Sequence, residues 1–334
     1  MVNGTEEERF LSSPAIITLS AVTALILLLD LVGNTLVLCV VYRQRMKPNL
    51  RVGNMFIANL SVIDLLMGIF LIPMSMAVTL LGRKVLTDER CKFNGFFNVF
   101  VGSASIWTLA VISIDRYRAI VSPPGKRLQM HHARWLLIAV WIASLMMAFA
   151  PMGILGEYKL NTKSTNCRPI GQSYVLLLSV ASFLLPFVTM TYCYMKIYLK
   201  VRKQRIQLQS WKSNNSHMRT ELKTAKIVFT VLAVFLVCWL PFVTVYILLS
   251  IGKAQNISPA VFLLSGCLTA AHSICNPVIY FTMNKVFRND LFSMFPGLRK
   301  LCNIRDMITN ANHSNNVVVE LNAKDDSRPC TVNS

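Results

Sequence analysis

Seven apolar runs mark the chain, at residues 15–42, 54–81, 93–115, 134–155, 173–198, 226–251 and 258–282. Each is near or above the ~20 residues a helix needs to cross a hydrocarbon layer. Polar and apolar positions do not alternate along them, so the spanning form is the helix, which satisfies its own backbone. The pattern predicts an all-α membrane protein: a seven-transmembrane helix bundle over residues 14–283, preceded by a short extracellular tail at 1–13. After the seventh run, Phe287, Leu291, Phe292 and Phe295 share one helical stripe before Pro296-Gly297. That suits a short amphipathic helix at 284–298 lying on the membrane surface. The polar remainder, 299–334, reads as a disordered cytoplasmic tail.

Composition agrees, with 54% hydrophobic and 15% charged residues. Charge then sets the orientation. With the N-terminus outside, 25 of the 34 Lys and Arg fall on the inner side, as positive charge in short loops requires. The net charge of +19 is therefore an inner face against anionic lipid and a partner, with no call for nucleic acid. No cleavable signal is expected, since the first 13 residues are polar and carry Glu6, Glu7 and Glu8. Asn3 and Asn256 head glycosylation sequons on the outer side, while those at Asn59, Asn214 and Asn312 fall in a span or inside. Of nine cysteines, only Cys91 and Cys167 reach the oxidising outer loops, which makes them the natural disulfide pair. Cys302, inside and beyond the surface helix, is a palmitoylation candidate.

Few acids enter the spans: Asp30, Asp64 and, at the inner end of the third, Asp115. A carboxylate in lipid is costly and points to an ion, a proton path or a polar partner. Asn34, Ser105, Ser273 and Asn276 offer Asp64 oxygen-bearing company suited to sodium, and a hydrated packing cluster is the alternative. Pro73, Pro151, Pro186, Pro241 and Pro277 fall inside the runs, where each frees a backbone group and permits a kink. Those in "CWLPF" (238–242) and "NPVIY" (276–280) sit beside bulky aromatics.

Gly33-Asn34, Leu60-Ser61 with Asp64, Cys91 with Asp115-Arg116-Tyr117, Trp141, Phe183 with Pro186 and Tyr194, Cys238-Trp239-Leu240-Pro241, and Asn276-Pro277 with Tyr280 follow in order, one set per span. This series resembles the rhodopsin-like (class A) G protein-coupled receptors over nearly the whole chain. The resemblance implies a plasma-membrane receptor that binds a ligand among the outer helix halves and shifts towards a state that engages a heterotrimeric G protein, with arrestin and a receptor kinase as further partners. It implies that Arg116 is the switch, held by Asp115 and Glu221, with Tyr117, Tyr194 and Tyr280 around the inner cavity. Trp239 and Pro241 match the toggle, while Pro186, Ile106 and Phe235, with Asn276 and Pro277, match the relay. Asp64, Ser105, Ser273 and Asn276 match the family's sodium site, the single bound ion expected in a chain with no other cofactor. His272 stands where asparagine is common, and Asp30 adds an acid one turn before Asn34.

The same resemblance marks Asn98, Val99, Gly102, Ser103, Leu178, Ser179, Ser182, Phe242, Val243, Tyr246, Gly266 and Thr269 as pocket positions. Amine receptors carry an aspartate where Asn98 stands, and opsins carry their retinal lysine where Ala270 stands, so neither chemistry fits. Small, neutral and aromatic walls point to a neutral or weakly polar small molecule or lipid. The basic outer loops (Arg83, Lys84, Arg90, Lys92, Lys159, Lys163, Arg168) suit a short peptide instead, and an orphan receptor active without ligand is a third reading. A seven-span transporter would need a repeat or matched broken helices, and none is visible. No nucleophile, base and orienting acid converge as an enzyme would require.

Overall fold

The computed structural model describes residues 13–44, 51–81, 85–123, 125–153, 155–160, 167–208, 216–250 and 257–297. Its helices are α1 (Ser13–Gln44), α2 (Arg51–Leu66), α3 (Ile72–Leu81), α4 (Asp88–Ile120), α5 (Met130–Phe149), α6 (Gln172–Ser179), α7 (Leu185–Leu208), α8 (Ser216–Ser250), α9 (Pro259–Met283) and α10 (Lys285–Met294). Joined pairs α2–α3 and α6–α7 make the second and fifth spans, so seven segments are long and apolar enough to cross a membrane. This is the seven-helix bundle that the apolar runs predict, and it classes the chain as a multi-pass membrane protein.

The third span holds the centre. In its most apolar stretch 72% of α4 is buried, against 17% of α1, because α4 packs on α5, α7 and α8 while α1 meets α2 and α9 from one side. Outward faces are apolar in turn: Trp135 is 68% exposed and Val237 69%, as side chains bathed in lipid should be. Where α4 carries polar groups it hands them to neighbours. Asn59 of α2 donates to Thr108 Oγ1 at 3.0 Å and accepts from Trp141 Nε1 at 2.8 Å, tying three helices with one amide.

Proline acts differently from the expectation of five kinks. Pro73 and Pro186 are the second residues of α3 and α7, each just past a five-residue π-helical turn at Met67–Leu71 and Val180–Leu184. The wider turn absorbs the ring's clash with the preceding carbonyls. Pro241 and Pro277 do lie inside α8 and α9. Pro151, however, is not in a span: α5 stops at Phe149 and Pro151 sits in the turn that follows. The fourth apolar run overshoots because the chain stays apolar through the turn, and proline lacks the N–H to continue the helix.

One element had no counterpart in the apolar pattern. Strands β1 (Glu157–Leu160) and β2 (Cys167–Ile170) pair antiparallel in register Tyr158↔Pro169 and Lys159↔Arg168. Cys91 and Cys167 are bonded, Cα atoms 5.3 Å apart, which fixes β2 to the outer end of α4. The segment from Lys285 is a separate compact unit. Within α10, Phe287 and Leu291 are buried and Phe292 half-buried, while Phe295 lies past the helix end.

Asn59→Ala should lower the melting temperature of the detergent-solubilised protein, reflecting a loss of about 1 kcal/mol for an interhelical hydrogen-bond hub. Its mobility on a denaturing gel should stay the same, since a half-buried amide bonded between helices carries no glycan. An unchanged melting temperature would remove Asn59 as the tie.

Candidate functional site

Beneath the hairpin, α4, α6 with the π-helical turn that follows it, and α8 line a cavity of about 110 Å3. Asn98, Val99, Gly102 and Ser103 line it from α4, Leu178, Ser179 and Ser182 from the fifth span, and Phe242, Val243 and Tyr246 from α8. Ten of the twelve expected pocket positions thus converge. Gly266 and Thr269 do not: they face a smaller space of about 50 Å3 between α1, α3 and α9, which shares Asn98 and Phe242 with the first. Inside the larger cavity the polar groups are largely engaged with one another. Ser103 and Ser182 hydroxyls lie 2.8 Å apart, and Asn98 Nδ2 donates to the Asn94 carbonyl at 2.9 Å.

The hairpin forms the roof and is pinned at several points. Cys167 N–H donates to Asn94 Oδ1 at 3.0 Å, Tyr158 hydroxyl to the Ala148 carbonyl at 2.8 Å, and Tyr246 hydroxyl to the Pro169 carbonyl at 2.8 Å. The Tyr158 ring lies flat on Gly95, where any Cβ would collide with it. Burial pushes the Tyr158 phenol above its ordinary range, with Tyr174 and Tyr246 adding to the shift, so it stays a neutral donor. Cys167, Arg168 and Pro169 all line the cavity. Sequence reasoning counted Arg168 among the basic outer-loop residues suited to a peptide and left it out of the pocket positions. The signal was adjacency: Arg168 follows a cysteine tethered over the helix that supplies the opposite wall.

Trp239 and Phe235 close the floor, ring centroids 5.4 Å apart and stacked. A Cβ placed on Gly102 would come within 2.8 Å of Trp239 Cη2, so the bare backbone of α4 is what admits the indole. Ile106 and Phe235, two of the expected relay residues, are buried here, and Pro186 starts the helix after the π turn. His272 belongs with this aromatic group: its ring stands edge-on to Phe235 at 4.9 Å and 6.4 Å from Trp239.

Further inward lies a fully buried polar group. Asn276 Nδ2 donates to Asp64 Oδ2 at 2.7 Å, and Asn34 Nδ2 to Asp30 Oδ1 at 2.8 Å and to the Ser273 carbonyl at 3.2 Å. Asp30 and Asp64 are close enough to repel, and the Asp30 carboxylate rests against Gly68 in the π turn, where a Cβ would strike it. Among the described residues, Asp30 Oδ2, Asn34 Oδ1, Ser61 Oγ, Asp64 Oδ1 and Asn276 Oδ1 have no hydrogen-bond partner. An all-oxygen donor set of this kind fits a hard cation such as sodium. Ser105 is buried in α4, and Ser273 Oγ donates to the Ala270 carbonyl at 2.9 Å.

At the inner end of α4, Arg116 pairs with Asp115, its Nε donating to Oδ2 at 3.0 Å. Tyr117 meets Tyr192 at 6.1 Å and Tyr194 meets Phe229 at 5.4 Å, ring to ring, while Tyr280 is buried near Asp64. The Glu221 side chain lies outside the described residues, as do Asn3, Asn256 and Cys302.

A sequence profile of the 7 transmembrane receptor (rhodopsin family) matches residues 33–280. The chain therefore belongs to the rhodopsin family of seven-transmembrane receptors, which are receptors and not enzymes. Its relatives include a melanopsin-like protein of Danio rerio, 28% identical over 82% of this chain and 57% of its own length. Neuropeptide Y receptor type 6 of Mus musculus is 27% identical over 84% and 81% of the two chains. The RYamide receptor of Drosophila melanogaster is 30% identical over 84% and 64%. The chain thus spans little more than half the length of some of these relatives. Squid rhodopsin superimposes with a TM-score of 0.78 at 25% identity, covering 90% of this chain and 91% of that one.

Gly102→Val should lower the melting temperature, by about 1–3 kcal/mol of overpacking against the indole. In the double variant with Trp239→Ala the loss should fall well short of the sum of the two single losses. Strict additivity in this cycle would show that Gly102 and Trp239 do not share the space.

Proposed function

We propose that this protein is a plasma-membrane receptor, N-terminus outside and C-terminus inside, that binds a small and mostly apolar molecule, a lipid included, and activates a heterotrimeric G protein. The observation that carries this reading is the single helix α4. Its outer half walls a roofed cavity, its middle packs on the Trp239–Phe235 floor, and its inner end bears the Asp115–Arg116 pair. A ligand that moves the floor therefore acts on the same rigid element as the ion pair, and it shifts the balance between resting and active arrangements by its differential affinity for them. Arrestin and a receptor kinase belong to the same reading, as partners of the inner face, and sodium to the buried oxygen cluster.

The relatives divide over the ligand. Two carry peptide names, neuropeptide Y and RYamide, and the basic outer strand residues Lys159 and Arg168 give a peptide some support. The roof opposes it, because the hairpin covers the cavity and is held at three hydrogen bonds. Photopigment names do not transfer either: Ala270 lines the smaller cavity at the position matched to the opsin lysine and has no amine for a Schiff base.

Arg116→Ala should abolish guanine-nucleotide exchange on purified G proteins while surface expression stays at the wild-type level. Exchange that persists in this variant would sink the role of Arg116. Glu221→Ala should raise basal exchange several-fold, and a basal rate that stays flat or falls would remove Glu221 as the second catch.

A further inference from the structure

We infer that the ligand of the roofed cavity is an amphipathic carboxylate, whose anionic head pairs with Arg168 while its apolar body fills the space down to Trp239. This rests on the ligand-cavity reading above and names the class of ligand. Among the described residues Arg168 is the only charged one lining the cavity, and no carboxylate accompanies it there. The guanidinium is close enough to Tyr246 to act on its phenol, and Tyr246 lines the same wall. Arg168 is half-buried, and among the described residues no acid pairs with it.

Most other polar side chains around the cavity are already engaged, the exception being the Trp239 indole N–H at the floor. Tyr246 donates to Pro169, Ser103 meets Ser182, and Asn98 donates to Asn94. What remains is a half-buried cation beside largely apolar walls, a setting that favours a counter-charge arriving with the ligand. A planar carboxylate matches the guanidinium fork with two parallel hydrogen bonds. A phosphate dianion would need a second cation, and the wall holds none.

The test separates binding from coupling. Full-length receptor is purified, and its melting temperature is followed with hexanoate, decanoate and dodecanoate below their micellar concentrations, each against the primary alcohol and methyl ester of equal length. One of the acids should stabilise the protein at a concentration about tenfold or more below its alcohol and ester, the discrimination a charge-assisted pair supplies. Arg168→Gln should erase that difference and Arg168→Lys should keep part of it. Lys159→Gln, opposite on β1 and exposed, should leave it intact. Equal response to acid, alcohol and ester, no response to any of them, or a difference that survives Arg168→Gln would each overturn the inference. So would stabilisation by a short acidic peptide in place of the acids. Nucleotide exchange measured on the same preparation without probe reads the receptor assignment separately, so an exchange-competent receptor indifferent to the acids refutes the carboxylate alone.

Discussion

A helix enclosed on nearly every side must give each polar group it carries a partner on a neighbour, because no water reaches it and an unmade hydrogen bond in that setting costs more than a made one returns. α4 is that helix. Asn94 accepts from the hairpin, Ser103 meets Ser182, Trp107 donates to the Ala181 carbonyl, Thr108 meets Asn59, and Asp115 meets Arg116. The first four bind one rod to the roof, the fifth span and the second span, while the Asp115–Arg116 pair lies within α4 itself. Any rotation or axial slip of α4 breaks several of these bonds together, so the rod moves as a unit or not at all. The cavity wall and the Asp115–Arg116 pair thus sit on one rod.

Much of this was legible from residue type and order. Apolar runs of spanning length specify helices, and the scarcity of charge within them makes Asp30, Asp64 and Asp115 conspicuous before any geometry is known. Ten residues that line the cavity could be named because the ordered motifs resemble one receptor family, and that resemblance carries the pocket positions with it. The failures have equally definite causes. Hydropathy does not distinguish an apolar turn from an apolar helix, which is why Pro151 was assigned to a span it follows. It also carries no information on two short strands whose residues, Glu157-Tyr158-Lys159-Leu160 and Cys167-Arg168-Pro169-Ile170, mix charge and apolarity. Gly266 and Thr269 were grouped with the main pocket because helix phase gives a direction but not which side of Phe242 a residue faces.

Small residues explain where the bundle departs from regular packing. Gly68 and Gly102 are each the point at which a bulky or charged group from another helix enters the interior, the Asp30 carboxylate at one and the Trp239 indole at the other. A side chain at either place would compete for that volume. The π turn that contains Gly68 does a second service, since it rotates the rest of the second span before Pro73 and lets Asp30 of α1 lie beside Asp64 of α2. Two acids in one dry cluster are tolerable when Asn34 and Asn276 each donate to one of them and the opposing oxygens remain for a cation or a proton.

His272 links this cluster to the floor of the cavity. Its ring packs against Phe235 and lies near Trp239, yet its neighbours in α9, Ser273 and Asn276, take part in the polar group around Asp30 and Asp64. A displacement of Trp239 is felt through Phe235 at His272, and α9 cannot turn to follow it without moving the Ser273 carbonyl away from Asn34 and the Asn276 amide away from Asp64. The aromatic floor on α8 and the buried acids on α1 and α2 thus both meet side chains of one helix, α9. His272 is the α9 side chain that meets the floor, one residue before the Ser273 whose carbonyl meets the polar cluster.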